Sequence, residues 1–119
     1  MIKNILIIDD DNELCEELTD ILVDEGYSVN TAFNGTEGMS KISNNVYDLI
    51  ILDYKMPGLS GGDVLRFMKE KDINTRVIVV SGKPFIEKQI EDDNMSGFVS
   101  SIIKKPFVIN FLLEKIKTY

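Results

Sequence analysis

Residues 48–58 read DLIILDYKMPG, and this stretch decides the fold. Leu49-Ile50-Ile51-Leu52 is apolar without alternation, the pattern of a strand covered on both faces, which parallel sheets produce. A carboxylate, Asp53, follows at once, and Met56-Pro57-Gly58 then turns the chain. A buried strand that ends on an acid poses the question of what lies near that acid.

Working outward, similar runs occur at Ile5–Ile8 and Val77–Val80, a weaker alternating one at Ser28–Ala32, and a last one from Phe98-Val99 to Ile103. The alternating run at Ser28–Ala32 suits an edge strand. Helix-period stretches lie between them. Leu14, Leu18, Ile21 and Leu22 share one face, with Asp11 or Asn12 to cap the start and Gly26 to end it. Four more helices are predicted over residues 35–44, 62–71, 85–95 and 107–118. The order is (βα) five times, which predicts an α/β doubly wound fold with a five-stranded parallel sheet; in the flavodoxin-like order 2-1-3-4-5, strands 1, 3, 4 and 5 would be central or adjacent. With 119 residues the chain is expected to be one domain, 1–119.

Composition narrows the chemistry. The net charge is −7, which argues against direct nucleic-acid binding, since that rests on clustered Lys and Arg. No apolar stretch approaches a membrane span and the start lacks the layout of a signal peptide, so the expected location is the cytoplasm. One cysteine, Cys15, excludes an internal disulfide and is expected to be plain packing. The chain has no histidine, so a Ser-His-Asp triad, a His-ligated zinc site and an internal phosphohistidine are all excluded. Carboxylates, hydroxyls and lysines remain.

In a doubly wound sheet the functional crevice lies beyond the carboxyl ends of the strands. Those ends carry Asp9, Asp10 and Asp11, then Asp53, Ser81 and Lys105. Clustered carboxylates repel, and a hard divalent cation relieves the repulsion; all-oxygen donors suit Mg2+, or Mn2+, better than zinc. Metal, ammonium, hydroxyl and a carboxylate nucleophile together are what phosphoryl transfer requires. Asp53, alone at the centre of the crevice, is the expected nucleophile.

At these residues the chain resembles the receiver domain of two-component response regulators. ILIIDDD (5–11), DLIILDYKMPGLSGGDVL (48–65), VIVVSGK (77–83) and KKPF (104–107) carry the resemblance, in order along the whole chain. The resemblance implies that Asp53 is phosphorylated by a histidine kinase or phosphotransfer protein. It implies that Asp10, Asp53 and the backbone carbonyl of Lys55 ligate Mg2+ and that Asp9 acts through a metal-bound water. Lys105 would contact the phosphoryl group, Ser81 would be the switch hydroxyl, and the Lys105–Pro106 peptide would be cis. The family usually carries Tyr or Phe three residues before the lysine; this chain has Ile102. Gly97-Phe98 replaces the usual small pair after the fourth helix, and the stretch from Ser81 to Lys105 is about two residues longer than is typical. The face made by helix 4, strand 5 and helix 5 is a candidate homodimer or partner surface.

The resemblance implies a signalling phosphoacceptor rather than an enzyme acting on a separate substrate. Two other readings stay open at this point. A pseudo-receiver would keep the fold as an interaction module without phosphorylation. A phosphatase of the haloacid dehalogenase type also uses an aspartyl nucleophile and Mg2+, but favours a second aspartate two residues on, where this chain has Lys55.

Overall fold

The computed structural model describes residues 1–119. Strands β1 (Asn4–Ile8), β2 (Ser28–Ala32), β3 (Leu49–Asp53), β4 (Arg76–Ser81) and β5 (Ser101–Lys104) alternate with helices α1 (Asn12–Asp24), α2 (Gly35–Asn44), α3 (Gly61–Glu70), α4 (Ile86–Asp92) and α5 (Ile109–Lys117). The sheet is parallel throughout, in the order β2-β1-β3-β4-β5. β2 is an edge strand, as its alternating sequence predicts.

The unbroken apolar runs hide an alternation that the packing reveals. Ile50, Leu52 and Tyr54 pack with Val77 and Val79 under α3 and α4. Leu49 and Ile51 pack with Ile78, Val80 and Ile103 against α1 and α5. Each apolar side chain of the central strands is thus withdrawn from water on one face or the other, which stabilises by roughly 1.5–3 kcal/mol per large aliphatic group. Burial on both faces holds the strand end, and so Asp53, in a fixed place. Cys15 lies in the second of these cores, 1% exposed.

Helix starts follow local chemistry. Asp11 caps α1 by accepting from the Leu14 amide at 3.1 Å. Asn34 caps α2, and Ser60 with Asp63 forms a capping box at α3. α1 ends as Gly26 turns the chain at φ +100°.

Three expected boundaries are corrected. The fourth helix stops at Asp92, because Asn94 takes a left-handed turn at φ +60° and residues Ser96–Phe98 form a short 3-10 turn. Phe98 therefore lies outside the last strand, which starts at Ser101; its ring packs against the core with Lys69 Nζ 5.9 Å away. The fifth helix begins at Ile109 rather than 107, since Val108 is extended as its N-cap. The Lys105–Pro106 peptide is cis.

Candidate metal centre and nucleophile

Parallel register brings four strand ends to one edge. Ile8 lies beside Leu52, Asp53 beside Val80, and Ser81 beside Lys104. The residue after each strand end, or the end itself, then faces one crevice. Asp9, Asp10 and Asp53 come together there, with one carboxylate oxygen from each within 4.8 Å of the others. Asp9 and Asp53 are buried, at 1% and 6% exposure, whereas Asp10 is open to solvent.

Asp9 is committed on both oxygens. Oδ1 accepts from the Asp11 amide at 3.0 Å and Oδ2 pairs with Lys105 Nζ at 2.8 Å. Asp53 is held less firmly, by the Lys55 amide at 3.3 Å and Lys105 Nζ at 3.6 Å. Burial, with Asp9 next, raises the Asp53 carboxyl from 3.8 to about 6. Burial works against the Lys105 ammonium, but Asp9 and Asp53 outweigh it and hold the lysine above its ordinary value. Burial and then Asp9 push the Cys15 thiol up to about 12, and its Sγ lies 3.4 Å from the Asp9 carbonyl. Buried in this way, the thiol serves the packing of the core.

The acids fit a hard cation. The donors are all oxygens, their mutual repulsion is only partly met by Lys105, and one of them faces solvent, leaving room for waters. This acidic cluster is a place for a metal ion. Beside it a cleft of about 290 Å³ is lined by Asp53, Lys55, Gly82, Lys83, Pro84 and Lys105. A small anion such as a phosphoryl group entering it would meet three lysines and one buried carboxylate.

Ser81 is at the end of β4 but fully buried, and its Oγ accepts from the Lys83 amide at 3.0 Å. Accepting there leaves the hydroxyl proton free to donate elsewhere. Ile102 is half-buried and packs against the core beneath α4, with no polar group to offer. The sequence-predicted residues Asp9, Asp10, Asp53 and Lys105 converge, and Lys55 stands at the rim.

Sequence reasoning missed two features of the surroundings. Gly61 opens α3 against the strand end, donating its amide to the Tyr54 carbonyl at 2.9 Å; a Cβ there would lie 2.6 Å from Tyr54 Cα and 2.9 Å from the Asp53 carbonyl. Tyr54 itself, 5% exposed, reaches Asp93 after α4. Burial and then Asp93 raise its phenol well above the ordinary value. The Ser60-Gly61-Gly62-Asp63 pattern signals the first of these features; nothing in the sequence signals the second.

The family model described as the response regulator receiver domain matches residues 5–117. The chain is 35% identical over 114 residues to the uncharacterized transcriptional regulatory protein YkoG of Bacillus subtilis, across 96% of this chain and 49% of that protein. It spans about half the length of the transcriptional regulators it matches. It is also 31% identical over 119 residues to sporulation initiation phosphotransferase F of Bacillus subtilis, covering 100% of this chain and 94% of that one. Among solved structures, response regulator TrrA of Thermotoga maritima, in complex with Mg(2+)-BeF, superposes with a TM-score of 0.83 at 34% identity, covering 98% of this chain and 97% of that one.

Proposed function

Because the chain belongs to the response regulator receiver domain family, we propose that Asp53 is its phosphoacceptor and that its phosphorylation by a histidine kinase or phosphotransfer protein is the signal it carries. The observation that supports this most is the buried carboxylate of Asp53, grouped with Asp9 and Asp10 and 3.6 Å from Lys105 Nζ. In the transfer, a P–O bond forms to an Asp53 oxygen as the donor's P–N bond breaks, and the histidine nitrogen leaves with the electron pair. The raised carboxyl of Asp53 is still ionised above about pH 6, so the nucleophile is available at neutral pH.

Asp10, Asp53 and the Lys55 carbonyl would hold Mg2+ or Mn2+. Asp9, with both oxygens already engaged, would reach the ion through water. Bound there, the ion offsets carboxylate repulsion and the charge of the phosphoryl oxygens. Lys105 meets the same oxygens, and the Ser81 hydroxyl donates to one of them. The phosphoryl group adds about 1.5–2 negative charges and shifts a conformational equilibrium.

Residues 1–119 form one receiver unit in this reading, acting in the cytoplasm as a signalling acceptor rather than turning over a separate substrate. No helix is long and apolar enough to cross a membrane. A second copy would dock on the face of α4, β5 and α5, where Phe85, Val108 and Phe111 are exposed.

The test is mass spectrometry after incubation with Mg2+ and acetyl phosphate, on wild type and Asp53→Asn. A Mg2+-dependent phosphoryl adduct on wild type alone supports the reading. No adduct and no fluoroberyllate binding would leave an interaction module, and rapid turnover of unrelated phosphoesters would indicate a phosphatase.

A further inference from the structure

The Tyr54 phenol is a buried polar group that phosphoryl transfer does not use. Tyr54 follows Asp53 directly, but strand alternation sends its side chain to the other face, among the residues under α3 and α4. There the hydroxyl donates to Asp93 Oδ2 at 2.5 Å, and Gln89 Nε2 donates to both oxygens of Asp93 at 3.2 and 3.3 Å. Gly62 makes room for this contact: a Cβ there would stand 2.8 Å from the Tyr54 hydroxyl and 3.3 Å from Asp93 Oδ2.

Asp93 caps the C-terminus of α4, a weakly secured helix. It has seven residues, begins after Phe85 in a left-handed conformation (φ +59°) without a side-chain cap, and is followed by left-handed Asn94. Ile86, Ile90 and the following Met95 bury its apolar side. Its other polar link to the sheet is Glu87 with Lys104 at 3.2 Å, both more than half exposed, and such pairs contribute little. The phenol is the buried polar fastening.

Tyr54 cannot shift apart from Asp53. Its Cα lies against Gly61, and its amide makes the last, long bond of β3 to the Val80 carbonyl at 3.3 Å, beside Ser81. A change at the Asp53 carboxylate or the Ser81 hydroxyl therefore reaches the phenol through one residue. Ile102, the neighbour of α4 on β5, has no hydroxyl with which to do the same.

We infer that Tyr54 is a positioning residue that couples the loading of Asp53 to the seating of α4: its hydrogen bond to Asp93 holds the helix down while Asp53 is free and is released when Asp53 is loaded. The inference rests on Asp53 being the phosphoacceptor. Release is favoured because loading sets a second anion at the other end of a residue already committed to the half-buried carboxylate of Asp93. Coupling is reciprocal, so cutting the bond must favour loading by the factor with which loading weakens the bond.

Tyr54→Phe removes the hydroxyl and keeps the ring; Asp93→Ala cuts the same bond from the other side and serves if the first variant folds poorly. Fluoroberyllate affinity is measured by calorimetry with Mg2+ at saturation, and amide exchange is followed in α4. Each variant is expected to bind fluoroberyllate about tenfold more tightly, within the usual 5–150-fold range of such couplings. In wild type, fluoroberyllate speeds α4 exchange; in the variants α4 exchanges fast beforehand and fluoroberyllate adds little. Unchanged or weaker fluoroberyllate binding in both variants, with wild type still binding through Asp53, overturns the coupling alone. Absence of Mg2+-dependent binding to wild type, or binding that survives Asp53→Asn, overturns the assignment of Asp53 on which it rests.

Discussion

Replacing Asp53 with Asn should stabilise the metal-free protein at neutral pH, although it deletes the proposed nucleophile. Asp53 is 6% exposed and shares the crevice with Asp9 and Asp10, and its carboxyl is raised from 3.8 to about 6 by burial first and Asp9 second. Below pH 3.8 the group is neutral in both folded and unfolded chains. As pH rises from there to about 6, the unfolded chain gives up its proton while the folded one retains it, so stability falls across this window and is level above it. A shift from 3.8 to about 6, at ~1.4 kcal/mol per unit, amounts to about 3 kcal/mol as an upper figure. Asn carries no charge to desolvate and is spared this loss. Urea denaturation at pH 4 and pH 7.5 in EDTA should show the variant level with wild type at the lower pH and up to about 3 kcal/mol more stable at the higher. Mg2+ at about a hundred times Kd should close this gap, because ligation stabilises wild type by mass action, ~2.7 kcal/mol. An Asn variant no more stable than wild type at pH 7.5 in EDTA would refute the idea that the site stores carboxylate repulsion.

Other perturbations probe the scaffold and the lysine. Gly61→Ala places a methyl 2.6 Å from Tyr54 Cα and 2.9 Å from the Asp53 carbonyl, so it should cost about 1–3 kcal/mol by urea denaturation and weaken Mg2+ binding by calorimetry. Equal stability and Mg2+ affinity would mean that α3 is free to retreat from the strand end. Lys105→Met leaves Asp9, 1% exposed, without its partner at 2.8 Å. It should destabilise the fold by about 2–3 kcal/mol at pH 7, less than for a sealed pair because the lysine is 24% exposed, and should slow acetyl phosphate labelling. Labelling at the wild-type rate would remove Lys105 from the chemistry.

The parts of the fold that follow from period were legible in the sequence: five apolar runs and five helical stretches imply the parallel sheet, while its order is a recurrent arrangement of doubly wound sheets that no spacing spells out. What the runs concealed was the face each side chain takes, since Leu49 to Leu52 are all apolar and both faces are covered. The blurred region was residues 85–108. Asn94 in a left-handed turn and Val108 as an extended cap set its boundaries, and apolar periodicity carries no trace of either. In the site, Asp9, Asp10, Asp53 and Lys105 were legible because each stands at a strand end and the topology does the rest. The pairing of Asp9 with Lys105 spans 96 positions, but the strand order implies it. The pairing of Tyr54 with Asp93 spans 39 and depends on how a short, uncapped helix ends, so no sequence spacing announces it.

The most direct measurement is peptide mapping by mass spectrometry of the chain incubated with acetyl phosphate, with Mg2+ and with EDTA. The expected result is a phosphoryl adduct confined to the peptide carrying Asp53, present with Mg2+, absent with EDTA and absent in Asp53→Asn. An adduct on another residue, or labelling indifferent to both Mg2+ and Asp53, would contradict the assignment of Asp53 as a metal-dependent phosphoacceptor.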